Sequence, residues 1–204
     1  MENWSGGDGF EDIPFNDARG RMRPNLHSLL CAIGLIDASR PVETLFKSDE
    51  KLLGFASIVR CSVEILTGGD WKGSGSRILS RTVSARPRFL RECVNRHLRD
   101  ALPQSVELII LLGAEVGYVR EMREFLASEV MPPKIEYVYQ ALGRTVVHLP
   151  HPSGEASGFV KVFCGEKEKP GQNEGSMIEC RRQVVPAVAK LLPSLGRPND
   201  AVGH

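Results

Sequence analysis

The sequence has no run of about eighteen apolar residues, the length a helix needs to cross a bilayer, so no transmembrane helix is expected. Its first residues lack the basic head and apolar stretch of a secretory signal, which places the chain in the cytoplasm by default. There is no Cys-x-x-Cys. Cys31, Cys61, Cys93, Cys164 and Cys180 are odd in number and widely spaced, which argues for reduced, buried thiols over a disulfide framework or a zinc site. Net charge is only +1, so bulk charge does not announce a nucleic-acid partner. No Gly-x-x-x-x-Gly-Lys-Ser/Thr is present, which disfavours a P-loop nucleotide hydrolase. No Gly-x-Gly-x-x-Gly follows a strand, and no Gly-x-Ser-x-Gly offers a nucleophile elbow. No internal repeat is visible.

What is present is the composition of a soluble globular protein, with 42% hydrophobic and 25% charged residues. At 204 residues one domain is expected, with enough chain to bury a substantial core. Residues 1–24 are polar and Gly-rich without apolar periodicity, and read as a flexible N-terminal segment. A helix opens at Pro24-Asn25, with Leu26, Leu29, Leu30 and Ile33 on one face, and ends at Gly34. Residues 53–63 read as a strand, 66–87 as a Gly- and Ser-rich insertion, and 88–102 as an amphipathic helix closed by Pro103. The nearly unbroken apolar run 106–113 predicts a parallel strand covered on both faces. A helix over 114–130 follows, then a break at Pro132-Pro133 and a short strand or loop end at 135–139. A strand at 144–148 comes next. Residues 166–174 form a charged linker, and 177–192 a last helix with Ile178, Val184, Val185, Val188 and Leu191 inward and a kink or break at Pro186. Residues 193–204 are a flexible tail. Alternating helices and short apolar strands predict an α/β protein, a three-layer αβα sandwich around a short, mostly parallel sheet.

The organising stretch is Val146 to Gly154. Thr145-Val146-Val147 is β-branched and suits a central strand. Pro150 and Pro152 then stop both ladder pairing and helix formation, and Gly154 and Gly158 permit tight turning or close approach of a ligand. A loop just past the carboxyl end of a strand is where open α/β sheets bind ligands. His151 and Ser153 therefore stand where a site belongs. An ordinary turn, with Ser153 bonded to its own backbone, is the plain alternative. A Ser153–His151 nucleophile pair has poor geometry across Pro152. Metal binding through His148-x-x-His151, with no helix beneath and a proline inside, is not expected.

His151-Pro152-Ser153 after a short apolar strand, late in the domain, resembles the second motif of the uracil-DNA glycosylase superfamily. The likeness extends over residues 25–192, where Leu111-Leu112-Gly113-Ala114 lies between a strand and a helix as it does before that motif. The resemblance implies DNA repair by hydrolysis of the N-glycosidic bond of an extruded base. It implies that His151 donates to the base, that Pro152, Ser153 and Gly154 contact base and DNA, and that Ser153 bonds a flanking phosphate. Gly154-Glu155-Ala156 stands where the family carries a bulky apolar wedge. The family's first motif, a Gly-rich strand end supplying an Asp or Asn for water and an aromatic for stacking, has no counterpart in residues 1–24. Asp8, Phe10, Asp12, Phe15, Asn16 and Asp17 supply the residue types without the strand. The chain reads as a divergent member whose excision is slow or lost. Some relatives hold an iron–sulfur cluster on four cysteines that include a close pair; this chain has no such pair, and no cofactor is expected.

A basic stretch adds a second signal. Lys72, Arg77, Arg81, Arg86, Arg88, Arg91, Arg96 and Arg99 are interrupted by one acid, Glu92, and follow Trp71. Arginines, glycines and hydroxyls suit a loop that tracks phosphates, and Trp71 could stack on a base or wedge into a step. A solvated helix face beside a loose loop explains the same residues. The expected partner is DNA, bound by a monomer away from membranes. A non-catalytic nucleic-acid-binding α/β module is the alternative, and a small-molecule-binding α/β protein the third reading.

Overall fold

The computed structural model describes residues 20–47, 49–56, 65–67, 70–72, 88–100, 102–127, 132–167, 170–171 and 174–195. Helix α1 (Met22–Ala32) takes Pro24 in its first turn, where a missing N–H costs no helical hydrogen bond, and buries Leu26, Leu29 and Leu30. Gly34, at φ +73°, closes it: its N–H bonds Cys31 O at 2.9 Å and the next N–H, Leu35, bonds Leu30 O at 3.0 Å. A 3-10 turn (Val42–Phe46) follows, with Val42, Leu45 and Phe46 buried. Strands β1 (Ile65–Thr67) and β2 (Asp70–Lys72) pair antiparallel at the start of the segment 66–87 expected to be an insertion, β1 beginning one residue before it. Helix α2 (Arg88–Val94) continues into a wider π-type turn (Asn95–Arg99). Then come β3 (Leu108–Leu112), α3 (Val116–Ala127), β4 (Val138–Ala141), β5 (Arg144–Leu149), a 3-10 turn (Gly154–Ala156), α4 (Ser157–Cys164) and α5 (Ser176–Leu191).

Among the described residues the main sheet has three strands in the order β3-β5-β4. The Thr145 N–H bonds Glu107 O at 3.0 Å and the Gly113 N–H bonds Leu149 O at 2.7 Å. Both partners advance in the same chain direction, so β3 and β5 run parallel, as their crossover connection allows. The sheet is nevertheless mixed rather than mostly parallel among the described residues, because β4 and β5 are antiparallel, with Val138 opposite Val147 and Ala141 opposite Arg144. A two-residue link, Leu142-Gly143, dictates this, since parallel neighbours need a long crossover. Of these three, β5 is central and β3 is an outer strand.

Leu142 and Gly143 have φ of 55° and 69°, the left-handed pair that matches a hairpin to the twist of its strands. Leucine is costly there, by about 1–2 kcal/mol, because its Cβ crowds the following carbonyl. Leu142→Asn is expected to stabilise the protein by up to about 1 kcal/mol. Urea unfolding checks this: the midpoint should rise with the slope unchanged.

The chain divides into two compact units. One takes the described residues up to Gly54, Ile110–Ala114 and the chain from His148 onward. In it α4 contacts both α1 and α5, and Phe163, Val160, Val184 and Val188 are buried. The other takes Phe55–Ile109 and Glu115–Val147. There α3 contacts β4, Tyr118, Val119, Met122 and Tyr139 are buried, Arg123 pairs with Glu136, and its guanidinium lies 5.5 Å from the centre of the Tyr139 ring.

Several expectations change. Residues 53–56 of the predicted strand 53–63 are irregular, and the rest lie outside the described residues. In α5 the inward face is Met177, Cys180, Val184 and Val188, whereas Ile178 is 53% exposed. The stripe keeps threes and fours from Met177, which leaves Ile178 on the outer side. The helix runs through the exposed Pro186 without ending there. Helix α4 was not anticipated: eight residues are too few for a period to declare itself. Pro193 to Leu195, read as tail, continue α5 as a turn, with the N–H groups of Ser194 and Leu195 on Leu191 O.

Candidate functional site

Strand β5 delivers the site loop from the interior. Val146, Val147, His148 and Leu149 are fully buried, and Pro150 and Pro152 are buried after them. His148 is a structural histidine. Its Nδ1–H donates to Gly113 O at 2.7 Å, which ties the end of β5 to the end of β3. Burial pushes its pKa down to about 4, against a smaller upward pull from the Gly113 bond, so the ring is neutral near pH 7. The Cys180 thiol donates to His148 O at 3.3 Å, and burial raises its pKa above the usual thiol value.

Three residues on, His151 is exposed. Its Nδ1 accepts the backbone N–H of Ser153 at 3.2 Å. His151 and Ser153 form no nucleophile pair here, because their contact runs through the Ser153 amide and not its hydroxyl. Burial of the loop around the ring lowers the His151 pKa from the ordinary histidine value, although the ring itself keeps an exposed surface. A neutral imidazole whose Nδ1 accepts must carry its proton on Nε2. The loop therefore presents one N–H donor at a fixed place, which is what a site needs to stabilise charge developing on an oxygen.

The loop is held from α1. Asn25 Nδ2 donates to Pro152 O at 2.8 Å, with Ser153 O at 3.3 Å and Ser157 Oγ at 3.1 Å. The Ser157 hydroxyl donates to Gly154 O at 2.8 Å, and the Ala156 N–H bonds Ser153 O at 3.0 Å. Gly154 opens the 3-10 turn at ordinary φ. Gly158 serves close approach, but of a protein group: a Cβ there would collide with the Glu174 carboxylate, which also accepts from Lys167 Nζ and the Gly171 N–H. In the sequence Asn25 marks only the start of a helix, and nothing local signals its bond across 127 positions.

The structure brings together His151, Pro152, Ser153 and Gly154 in this loop. Trp71 lies in β2 with its backbone opposite Leu66. Arg77, Arg81 and Arg86 lie outside the described residues, as do Asp8, Phe10, Asp12, Phe15, Asn16, Asp17 and Cys61. On α2 and its π-type turn, Arg88, Arg91, Arg96 and Arg99 are exposed, and Arg88 pairs with Glu92 at 2.8 Å. Among the described residues Cys31, Cys93, Cys164 and Cys180 are thiols outside any disulfide. Among the described residues no group of three or more His, Cys, Asp or Glu side chains is placed to hold a metal ion. A cleft beside α1, bordered by Pro24, His27, Ser28 and Arg40, contains none of the loop residues.

No helix of the described residues is long and apolar enough to cross a membrane. Helices and a small mixed sheet place the chain in the α/β class. Comparisons with protein-family models, curated proteins and solved structures give no match.

Proposed function

We propose that this chain is a uracil-DNA glycosylase-like DNA-repair protein that recognises an extruded base and hydrolyses its N-glycosidic bond. One observation carries the reading. His151 sits exposed just past the carboxyl end of β5, with Nδ1 engaged by Ser153 and Nε2–H left as its donor. Cleavage of the bond from the base nitrogen to the sugar sends its electron pair into the base, and the negative charge spreads to the base oxygens. A fixed N–H donor at such an oxygen lowers that barrier, and water then adds to the sugar carbon. Base extrusion must come first, because the bond is out of reach inside the duplex.

In this reading Pro152, Ser153 and Gly154 line the base and the DNA backbone. The three-layer arrangement, a monomeric state, a cytoplasmic location and the lack of a cofactor are parts of the same proposal. The test is a single-turnover reaction on a uracil-containing oligonucleotide with the protein in excess. Slow release of free uracil is expected. A folded, DNA-bound chain that releases none overturns the glycosylase reading.

A second reading, a non-catalytic nucleic-acid-binding module, draws on the exposed Arg91, Arg96 and Arg99 of α2 and its π-type turn. Arg77, Arg81 and Arg86 precede them in sequence, and Trp71 would stack on a base. Weak DNA binding with strong salt dependence is expected under both readings. Replacing Arg77, Arg81 and Arg86 together by Ala should reduce the slope of log K against log salt by roughly two to three, if each contacts one phosphate. Fluorescence anisotropy across a salt series measures it, and an unchanged slope favours a small-molecule ligand instead.

A further inference from the structure

We infer that Asn25 is the positioning residue that sets the ring state of His151, an inference that rests on reading His151 as the base donor. The Pro152 carbonyl and the Ser153 N–H belong to one peptide unit. Asn25 Nδ2 donates to the oxygen of that unit at 2.8 Å, and the N–H of the same unit donates to His151 Nδ1 at 3.2 Å. A peptide is planar and trans, so anchoring its oxygen fixes the direction of its N–H. Hydrogen bonds in such a chain also polarise one another, which makes the Ser153 N–H a better donor to the ring.

The remaining contacts of Asn25 reinforce the anchor. Its amide nitrogen also meets Ser153 O at 3.3 Å and Ser157 Oγ at 3.1 Å, and Ser157 in turn holds Gly154 O. Two of its three partners are carbonyl oxygens, so the position demands a donor. Aspartate has the same shape, but its carboxylate would face those carbonyls with acceptors only. Asn25 thus acts on His151 through one peptide plane, holding Nδ1 as acceptor and the proton on Nε2.

The test uses the full chain and reads the ring directly. In the wild type, the histidine ring nitrogen shifts near pH 7.5 should show His151 as the Nε2–H tautomer, with a protected Ser153 amide. In Asn25→Ala the two ring nitrogens should move toward averaged values, and Ser153 amide exchange should accelerate at least about tenfold, while the β4–β5 amides stay unchanged. Asn25→Asp, which keeps the volume, should do the same and serves if the alanine variant does not fold. A folded variant of either kind with wild-type ring shifts and Ser153 exchange overturns the inference. In single-turnover excision both variants should slow the reaction about tenfold or more with DNA affinity unchanged, as expected for a displaced catalytic group. If the wild type excises nothing, the glycosylase reading fails, and the ring and amide measurements still decide the role of Asn25.

Discussion

Single-turnover excision of uracil is expected to be about two to three orders of magnitude slower with His151→Ala than with the wild-type chain, at nearly unchanged DNA affinity. The size of the effect follows from what the donor does. On the proposed function it would meet little charge on the base in the ground state and much more as the glycosidic bond breaks, so its loss would fall on the rate rather than on binding. The ring stands in a loop that Pro150 and Pro152 stiffen and Asn25 ties to α1, so little reorganisation is needed at the moment of reaction. His151→Gln, which keeps an N–H donor on a longer and less fixed side chain, should recover part of the rate. Equal rates for wild type and His151→Ala would remove the role assigned to this residue.

Acid should destabilise the fold through His148. In the unfolded chain this side chain takes up a proton near pH 6.5, whereas burial holds it neutral in the folded protein down to about pH 4. Between those values the unfolded state binds more protons, so stability falls as the pH falls. Its contribution is fully present above pH 6.5 and is lost as pH descends through the folded pKa. The gap of roughly 2.5 in pKa corresponds to about 3 kcal/mol. Urea unfolding between pH 7.5 and pH 4 measures it, with His148→Gln as the reference in which this part of the pH dependence disappears. His151 pulls in the same direction, since its pKa is also lowered, so the comparison is repeated in a His151→Ala background. Parallel pH profiles for wild type and His148→Gln would show that the ring is not the titrating group. The consequence for function is local. Protonating His148 would strengthen its bond to Gly113 O but leave a charge buried at the strand end from which the site loop departs, so the cost is one of desolvation.

The strands were legible where their chemistry is local. Apolar, β-branched runs announced β3 and β5 to within two residues of their observed ends, and the crossover length announced their parallel direction. The hairpin of β4 and β5 was not legible, because Leu142 is a poor advertisement for a left-handed turn that asparagine or glycine usually fills. Helix α4 was hidden by its brevity, and the inward face of α5 was misjudged by one position at Ile178.

The site divides in the same way. Sequence alone determined that a buried strand ends at about His148, one residue short of its observed end at Leu149, and that a Pro-stiffened loop carrying His151 and Ser153 follows, since backbone restriction at proline and the β preference of Thr145-Val146-Val147 act within a few residues. Only the tertiary structure decided that two histidines three positions apart differ in kind. His148 is buried against a carbonyl 35 positions away, and His151 is exposed in a loop fastened by an asparagine 127 positions from the carbonyl it holds. The physical reason is that a histidine's charge and tautomer are set by desolvation and by the partner of each ring nitrogen, and chain segments remote in sequence supply the desolvation of His148 and the clamp on the loop of His151.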